Sequence, residues 1–197
     1  MSFKYAIALT GGIATGKSSA TIILSLYGFR FIDADKIAHQ ILDEQHIIIA
    51  EMFGKDLVLN NKVDRKRLGS IVFADGIRRK ALESLLHPLI YQEIERQAHI
   101  EEQFQRPYII DIPLFFEGGR YPIEKSLVVY TTRERQLQRL MQRDGYNQIE
   151  ASNRIDSQMN IEEKRKKATY LIDNSGDLKQ LQDECERVKE AILKDFL

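Results

Sequence analysis

A single cysteine, Cys185, stands in this 197-residue chain, which excludes an intramolecular disulfide and any multi-cysteine zinc site. There is no excess of charge of either sign, because 29 Lys plus Arg balance 29 Asp plus Glu. A formal net charge of zero argues against a protein whose work is to coat nucleic acid or an anionic membrane. No apolar run approaches the roughly 20 residues of a membrane-spanning helix. The opening MSFKYAIALTGG is apolar over too short a stretch for a signal peptide. The four histidines form no pair at metal-ligand spacing, no Gly-x-Ser-x-Gly motif occurs, and there is neither an internal repeat nor a low-complexity linker. With 43% hydrophobic and 29% charged residues the composition is globular, and the chain is expected to be one soluble, cytoplasmic domain.

The order of apolar runs gives the organisation. Tyr5–Thr10 is a short continuous apolar run stopped by Gly11 and Gly12, as a strand buried on both faces would be. Ala20, Ile23, Leu24 and Tyr27 then fall at helical spacing, Gly28 stops the pattern, and Phe29–Ile32 is a second apolar run ending at Asp33. Strand, glycine-rich loop, helix and strand make a βαβ unit and imply a parallel sheet, with Asp33 expected to end the strand next to the first. From Ala34 to about Gln103 the strand signal disappears. Helices are expected at 34–42, 46–53, 65–73, 78–86 and 89–103, the last two separated at Pro88. Strand character returns at Tyr108–Ile112, Leu127–Tyr130 and Tyr170–Ile172. A very polar helix covers Arg133–Arg143, and Leu178, Leu181, Cys185, Val188 and Ile192 stripe a closing helix. Between them, Asp144–Thr169 is helical, heavily charged and poor in large apolar residues, a composition that suits a mobile flap.

The strongest chemical signal is Gly11-Gly12-Ile13-Ala14-Thr15-Gly16-Lys17-Ser18, which fits G-x-x-x-x-G-K-[ST] between a buried strand and an amphipathic helix. Glycines let backbone N–H groups converge on phosphate oxygens, and the helix N-terminus adds its positive end. Lys17 would reach the β- and γ-phosphates of a nucleoside triphosphate, and Ser18 would offer its hydroxyl to Mg²⁺. Asp33 reads either as a base for the proton of an attacking hydroxyl or as the cap of the next helix, with Asp35 as a first-turn acid. Tyr108-Ile109-Ile110-Asp111 has the form of a Walker B strand, so Asp111 reads as a Mg²⁺ ligand, direct or through water, or as a turn aspartate. Arg133, Arg135, Arg139, Arg143 and Arg154 cluster in the polar helix and the flap. As a set they suit a transition state that needs cations around the transferring phosphate. Asn61-Lys62-Val63-Asp64 spells the guanine-reading N-K-x-D, but it lies before a helix start, where Asp64 reads as an N-cap. His87 can point into an acceptor cleft, and Cys185 lies in an apolar stripe and reads as a packing residue.

Beyond these rules, ALTGGIATGKSSA, FIDADKIAHQIL, LLHPLI at Leu85–Ile90, DIPLFFE at Asp111–Glu117, QRLMQRDG at Gln138–Gly145 and YLIDNSG at Tyr170–Gly176 together resemble the dephospho-CoA kinase family, in the right order over most of the chain. The resemblance implies an α/β P-loop NTPase fold, a parallel sheet of about five strands flanked by helices, with a helical acceptor-binding insertion and a lid. The corresponding segments are a nucleotide-binding core (about 1–34, 106–143 and 170–197), the insertion (about 35–105) and the lid (about 144–169). It also implies transfer of the ATP γ-phosphate to the ribose 3′-hydroxyl of dephospho-coenzyme A. ATP and dephospho-coenzyme A are then the partners, Mg²⁺ the cofactor, and neither nucleic acid nor membrane takes part. Asp33, Lys17, Arg139 and Arg143 take the catalytic positions; Gly11 to Ser19 and Asn174 take those at the nucleotide. Asp35, His87, Pro113 and Leu114 fall with Asp33 on the acceptor side, and Ser18 and Asp111 on the metal. Two departures stand out: Ala14 and Ser19 replace the family's usual Gly and Thr. An alanine at 14 is expected to need a negative φ. The rival enzyme is another small-molecule or nucleoside monophosphate kinase, which shares the loop and lid but not DAD followed by HPLI. A nucleotide-binding switch without phosphate transfer is the rival from outside enzymes.

Overall fold

The computed structural model describes residues 3–197. Two compact units divide the chain: Met1–Ile32 with Ala98–Leu197, and Asp33–Gln97. The elements run β1 (Ala6–Gly11), α1 (Lys17–Leu26) and β2 (Phe31–Asp33), then α2 (Ala34–Glu44), α3 (His46–Phe53), a 3-10 turn at Lys55–Leu57, β3 (Val58–Leu59), β4 (Lys62–Val63), α4 (Arg65–Ala74) and α5 (Gly76–Glu102). They continue with β5 (Tyr108–Asp111), α6 (Phe115–Gly118), β6 (Lys125–Tyr130), α7 (Arg133–Asp144), α8 (Gln148–Asp156), α9 (Ile161–Lys167), β7 (Tyr170–Asp173) and α10 (Leu178–Asp195).

The first unit is built on a five-stranded sheet in the order β2-β5-β1-β6-β7. The pairs β1–β5, β1–β6 and β6–β7 are parallel, with Leu9 facing Asp111 on one side and Leu127 on the other. β2 is therefore not the neighbour of β1, as the sequence reading expected. β5, which follows seventy residues of other structure, takes that place, and the Ile109 N–H bonds back to Arg30 C=O beside it (2.9 Å). Ladder pairing between distant segments leaves no mark in local periodicity.

Alternation along the strands divides the core between two faces. Ile7, Leu9, Ile109, Leu127, Val129 and Ile172 pack against Ala20 and Leu24 of α1 and Leu181, Cys185, Val188 and Ile192 of α10. Each large aliphatic so removed from water contributes roughly 1.5–3 kcal/mol. On the other face Val128 and Tyr130 pack against Ile161 of α9. Helix starts are set by side-chain caps: Thr132 accepts from the Arg135 N–H, and Asp177 accepts from the Gln180 N–H. Asn147 and Glu150 form a reciprocal capping box at α8.

In the second unit Leu42, Ile49, Phe53, Leu57, Val63 and Leu68 close a small core of their own. Two expectations fail here. Strands β3 and β4 pair as an antiparallel hairpin around Asn60 and Asn61, both at positive φ (51° and 62°). A two-residue strand is too short to show alternation, although Asn-Asn suits the positive φ of such a turn. Pro88 does not separate two helices but lies inside the continuous α5. Proline gives no N–H to the Ser84 carbonyl one turn earlier, and both Ser84 and Pro88 are exposed residues. Asp64, in contrast, caps α4 through the Arg67 N–H (3.0 Å), which disposes of the N-K-x-D match. Among the described residues no helix is long and apolar enough to cross a membrane.

Candidate active site

The loop Gly11–Ser18 joins the buried β1 to α1. At Gly12 a Cβ would stand 2.5 Å from Gln136 Nε2, and at Gly16, where φ is +87°, it would run into Asn174 Nδ2. At Gly16 the positive φ favours glycine, and at Gly12 a Cβ would push the Gln136 amide off Ile13 C=O. Thr15, fully buried, ties the turn by donating its hydroxyl to Gly12 C=O (2.9 Å). Its N–H reaches the same carbonyl at 3.3 Å. Among the described residues the N–H groups of Ala14, Gly16, Lys17 and Ser18 have no protein acceptor. Donors converging at a helix start make a cradle for an anion.

Ala14 has φ +60°, so the expectation of a negative φ is wrong. The loop geometry is set by the phosphate-cradling turn and its clamps, and the alanine accepts the left-handed conformation at a steric cost. Its methyl is half-buried beside Leu140, Ala151 and Ile155, which offsets part of that cost.

Lys17 reaches across the sheet edge to β5, where its Nζ lies 2.5 Å from both Asp111 carboxylate oxygens. The two residues expected at the phosphates and the metal therefore meet, each with a largely covered side chain. Ser18 and Ser19 are exposed, and the Ser18 hydroxyl has no protein partner among the described residues.

Beside the loop lies a cleft of about 540 Å³ lined by Gly16, Ser19, Arg139, Arg143, Asn174 and Leu178. Leu178, expected in the buried stripe of α10, is instead exposed at this cleft, in the first turn of the helix. Arg139 donates to the carbonyls of Ala14 (3.4 Å), Thr15 (3.3 Å) and Asn174 (2.9 Å). Burial, and then the neighbouring Arg135, lower its pKa. Asn174 is buried and donates Nδ2 to Thr15 C=O (2.8 Å), so its amide nitrogen braces the loop. Arg143 is paired through two bonds with Asp144, which raises the arginine pKa and lowers that of the carboxyl. Arg133 does not join this group: it bonds Ser152 and Asp156 and fastens α7 to α8. Arg154 stacks on Tyr146.

Pro113 presents its carbonyl to the Thr10 hydroxyl (2.8 Å), and Leu114 is half-exposed at the start of α6. In the second unit Asp33 caps α2, its Oδ1 accepting from the Lys36 N–H (2.9 Å) and its Oδ2 3.4 Å from Lys36 Nζ. Asp35 is exposed in the first turn of that helix, and His87 precedes Pro88 in α5.

Four residues of this neighbourhood went unassigned in the sequence reading. Gln136 of α7 and Gln158 grip Ile13, while Lys164 of α9, fully buried, bonds Gly11 C=O (2.9 Å), Pro113 C=O (3.3 Å) and Glu117 (2.8 Å). Within IEEKRKK the buried lysine is indistinguishable from its solvated neighbours. Gln136 lies in a helix polar on almost every face, with no signal but its place one turn before Leu140 on the same face.

Comparison with known proteins agrees with this geometry. The chain is 53% identical to a dephospho-CoA kinase of Sulfurimonas denitrificans over 100% of its own length and 98% of that protein. It is 46% identical to one of Helicobacter pylori over 98% and 100%. The solved dephospho-CoA kinase of Campylobacter jejuni superposes with a TM-score of 0.71 at 38% identity, covering 96% of this chain and 98% of that one. Since the family model for dephospho-CoA kinase itself matches residues 5–180, a span that holds the loop, Asp111, the arginines and Asn174, the chain belongs to the dephospho-CoA kinase family of P-loop kinases.

Proposed function

We propose that this kinase moves the γ-phosphoryl group of ATP to the ribose 3′-hydroxyl of dephospho-coenzyme A, giving coenzyme A and ADP. The observation that carries the reading is the cradle of N–H groups at Ala14, Gly16, Lys17 and Ser18, beside a cleft large enough for a purine nucleoside. Adenine and ribose occupy that cleft between Leu178 and Arg139, and the triphosphate runs over the loop to Lys17. Lys17 exchanges its bond to Asp111 for the β- and γ-phosphates and neutralises charge as transfer proceeds. The acceptor 3′-oxygen bonds to the γ-phosphorus, the bond to the β,γ-bridging oxygen breaks, and the hydroxyl proton passes to the Asp33 carboxylate. Arg139 and Arg143 add positive charge at the phosphates, and Asp35, His87, Pro113 and Leu114 contact the acceptor.

The exposed Ser18 hydroxyl and the Asp111 carboxylate fit Mg²⁺, a hard cation that takes few protein oxygens and completes its shell with water and phosphate. When bound there it would shield the phosphate oxygens and align them. The balanced charge of the chain supports small-molecule substrates rather than a nucleic-acid or membrane partner.

The segment around α8 serves as the lid. Mass spectrometry of dephospho-coenzyme A after incubation with the protein, ATP and Mg²⁺ tests the whole reading: a gain of one phosphate on the ribose supports it. Phosphorylation of shikimate or a nucleoside monophosphate in place of that acceptor overturns it.

A further inference from the structure

Ile13, one residue before the positive-φ Ala14, is held at both polar groups of its backbone by glutamine side chains. Gln136 Nε2 donates to its carbonyl (2.7 Å), and Gln158 Oε1 accepts from its N–H (2.8 Å). The first of these glutamines is almost fully buried, and its Oε1 has no partner among the described residues. An orphaned buried acceptor costs stability, so the donation to Ile13 is kept in spite of a loss. The second lies in the short connection between α8 and α9, and this connection is itself anchored. The Met159 N–H donates to Glu117 (3.1 Å), and the same carboxylate pairs with the buried Lys164, whose ammonium also reaches Gly11 C=O. The turn is thus bonded to the loop directly at Ile13, and indirectly at Gly11 through Glu117 and Lys164.

This arrangement decides which N–H groups meet the phosphates. Ile13 gives its donor to Gln158 and Thr15 gives its own to Gly12, while Ala14, Gly16, Lys17 and Ser18 keep theirs. Were the Ile13 peptide released, the loop would have several backbone arrangements open to it, and the triphosphate would have to select one at a cost in affinity. We propose that Gln158 is a positioning residue for the nucleotide triphosphate: by holding the Ile13 N–H it presets the phosphate loop and couples ATP affinity to the docking of the α8–α9 turn. It touches neither substrate. The coupling is reciprocal, so bound nucleotide tightens the turn as much as the docked turn tightens nucleotide.

The inference rests on ATP as the phosphoryl donor, and the test keeps the two claims apart. Gln158→Met keeps the side-chain length and removes the acceptor. One lost hydrogen bond of this kind corresponds to a rise in KM for ATP of roughly 3- to 10-fold. KM for dephospho-coenzyme A and kcat are expected to stay within about twofold. Without nucleotide, exchange of the Ile13 amide should accelerate at least about tenfold, and Gln158→Glu, which restores an acceptor oxygen, should slow it again. Gln158→Asn, too short to reach, should behave as the methionine variant does and stands in if that variant fails to fold. Unchanged Ile13 exchange and unchanged KM for ATP would overturn the proposal. So would a parallel change of both KM values, kcat and Tm, which is what general loosening produces. A wild-type enzyme with no ATP turnover would instead refute ATP as the donor, while the Ile13 exchange would still report on the clamp.

Discussion

Lys17 and Asp111, 94 residues apart in sequence, form an ion pair in which one ammonium faces both oxygens of one carboxylate at 2.5 Å. The pair joins the loop after β1 to the end of β5, and parallel pairing of those strands makes it possible, since Leu9 and Asp111 stand opposite in the ladder. Lys17→Ala should lower kcat on the order of 10²-fold or more, because a methyl supplies no charge to the transferring phosphate. The variant should still fold, because the Asp111 carboxylate is partly open to water. Near-normal turnover would remove Lys17 from the mechanism.

Asp33 has a structural duty that the proposed chemistry must be separated from. It caps α2 through the Lys36 N–H, and asparagine caps helices as well as aspartate does. Asp33→Asn should therefore leave Tm almost unchanged while kcat falls steeply and ATP affinity stays. Asp33→Ala should add a stability loss of roughly 1 kcal/mol. If the asparagine variant turned over at the wild-type rate, Asp33 would be a cap only.

At Ala14 two costs oppose each other. The left-handed φ of +60° strains a residue with a Cβ by roughly 1–2 kcal/mol, and glycine would relieve this but lose more entropy on folding and the methyl contacts. Ala14→Gly should accordingly shift stability by less than about 1 kcal/mol. Ala14→Val, with a branched Cβ in the same conformation, should destabilise clearly and weaken ATP binding. Denaturant titration of both variants checks this, and equal losses for glycine and valine would mean that backbone strain is not what the loop tolerates here.

The sheet and most helices were legible because their signals are local. Tyr5–Thr10 and Leu127–Tyr130 are apolar runs that only a buried strand explains, and α3 starts and stops where the pattern of His46–Phe53 does. The loop was legible because the spacing G-x-x-x-x-G-K-[ST] is complete within eight residues. Long-range choices were not. Nothing in Phe31–Asp33 says that β5 will come between it and β1, and nothing in Lys164 or Gln158 says that Gly11 and Ile13 lie opposite. Polar residues become structural by virtue of what they face. The sequence pattern records the face of a residue's own helix, not the neighbour on the far side.

Cys185 lies fully buried between α10 and the sheet, and burial, followed by the charge of Glu184, pushes its thiol up to about 11. The thiolate is the reactive form, so at pH 8 alkylation by iodoacetamide should be negligible in the folded protein and rapid once it unfolds. A thiol raised in the folded state stabilises below its unfolded value. That contribution is lost as pH rises through about 11. Fast labelling of the native protein at pH 8 would show that α10 opens readily.

Asp144–Thr169 was expected to be a flap throughout, yet its two helices are held differently. In α9, Ile161 packs under β6 and Lys164 is buried with Glu117, so removing the lysine leaves a carboxylate and two carbonyls without their cation. Breaking a buried pair from one side costs about 3–5 kcal/mol, and the partial exposure of Glu117 puts Lys164→Met near the lower figure. In α8, only Ala151 and Ile155 are buried, in a small cluster with Leu140 of α7 against which Ile13, Ala14, Leu137 and Tyr146 pack, and Arg133 adds exposed bonds to Ser152 and Asp156. Exposed ion pairs contribute little. Closure over nucleotide is therefore expected of 148–156, with α9 as its fixed base. Amide exchange without ligand should be fast in 148–156 and slow in 161–167. An ATP analogue with Mg²⁺ and dephospho-coenzyme A should protect the first segment and change the second little. If both helices exchanged alike without ligand, or if ligand protected neither, the lid assigned to α8 would be wrong and the stretch would be static structure.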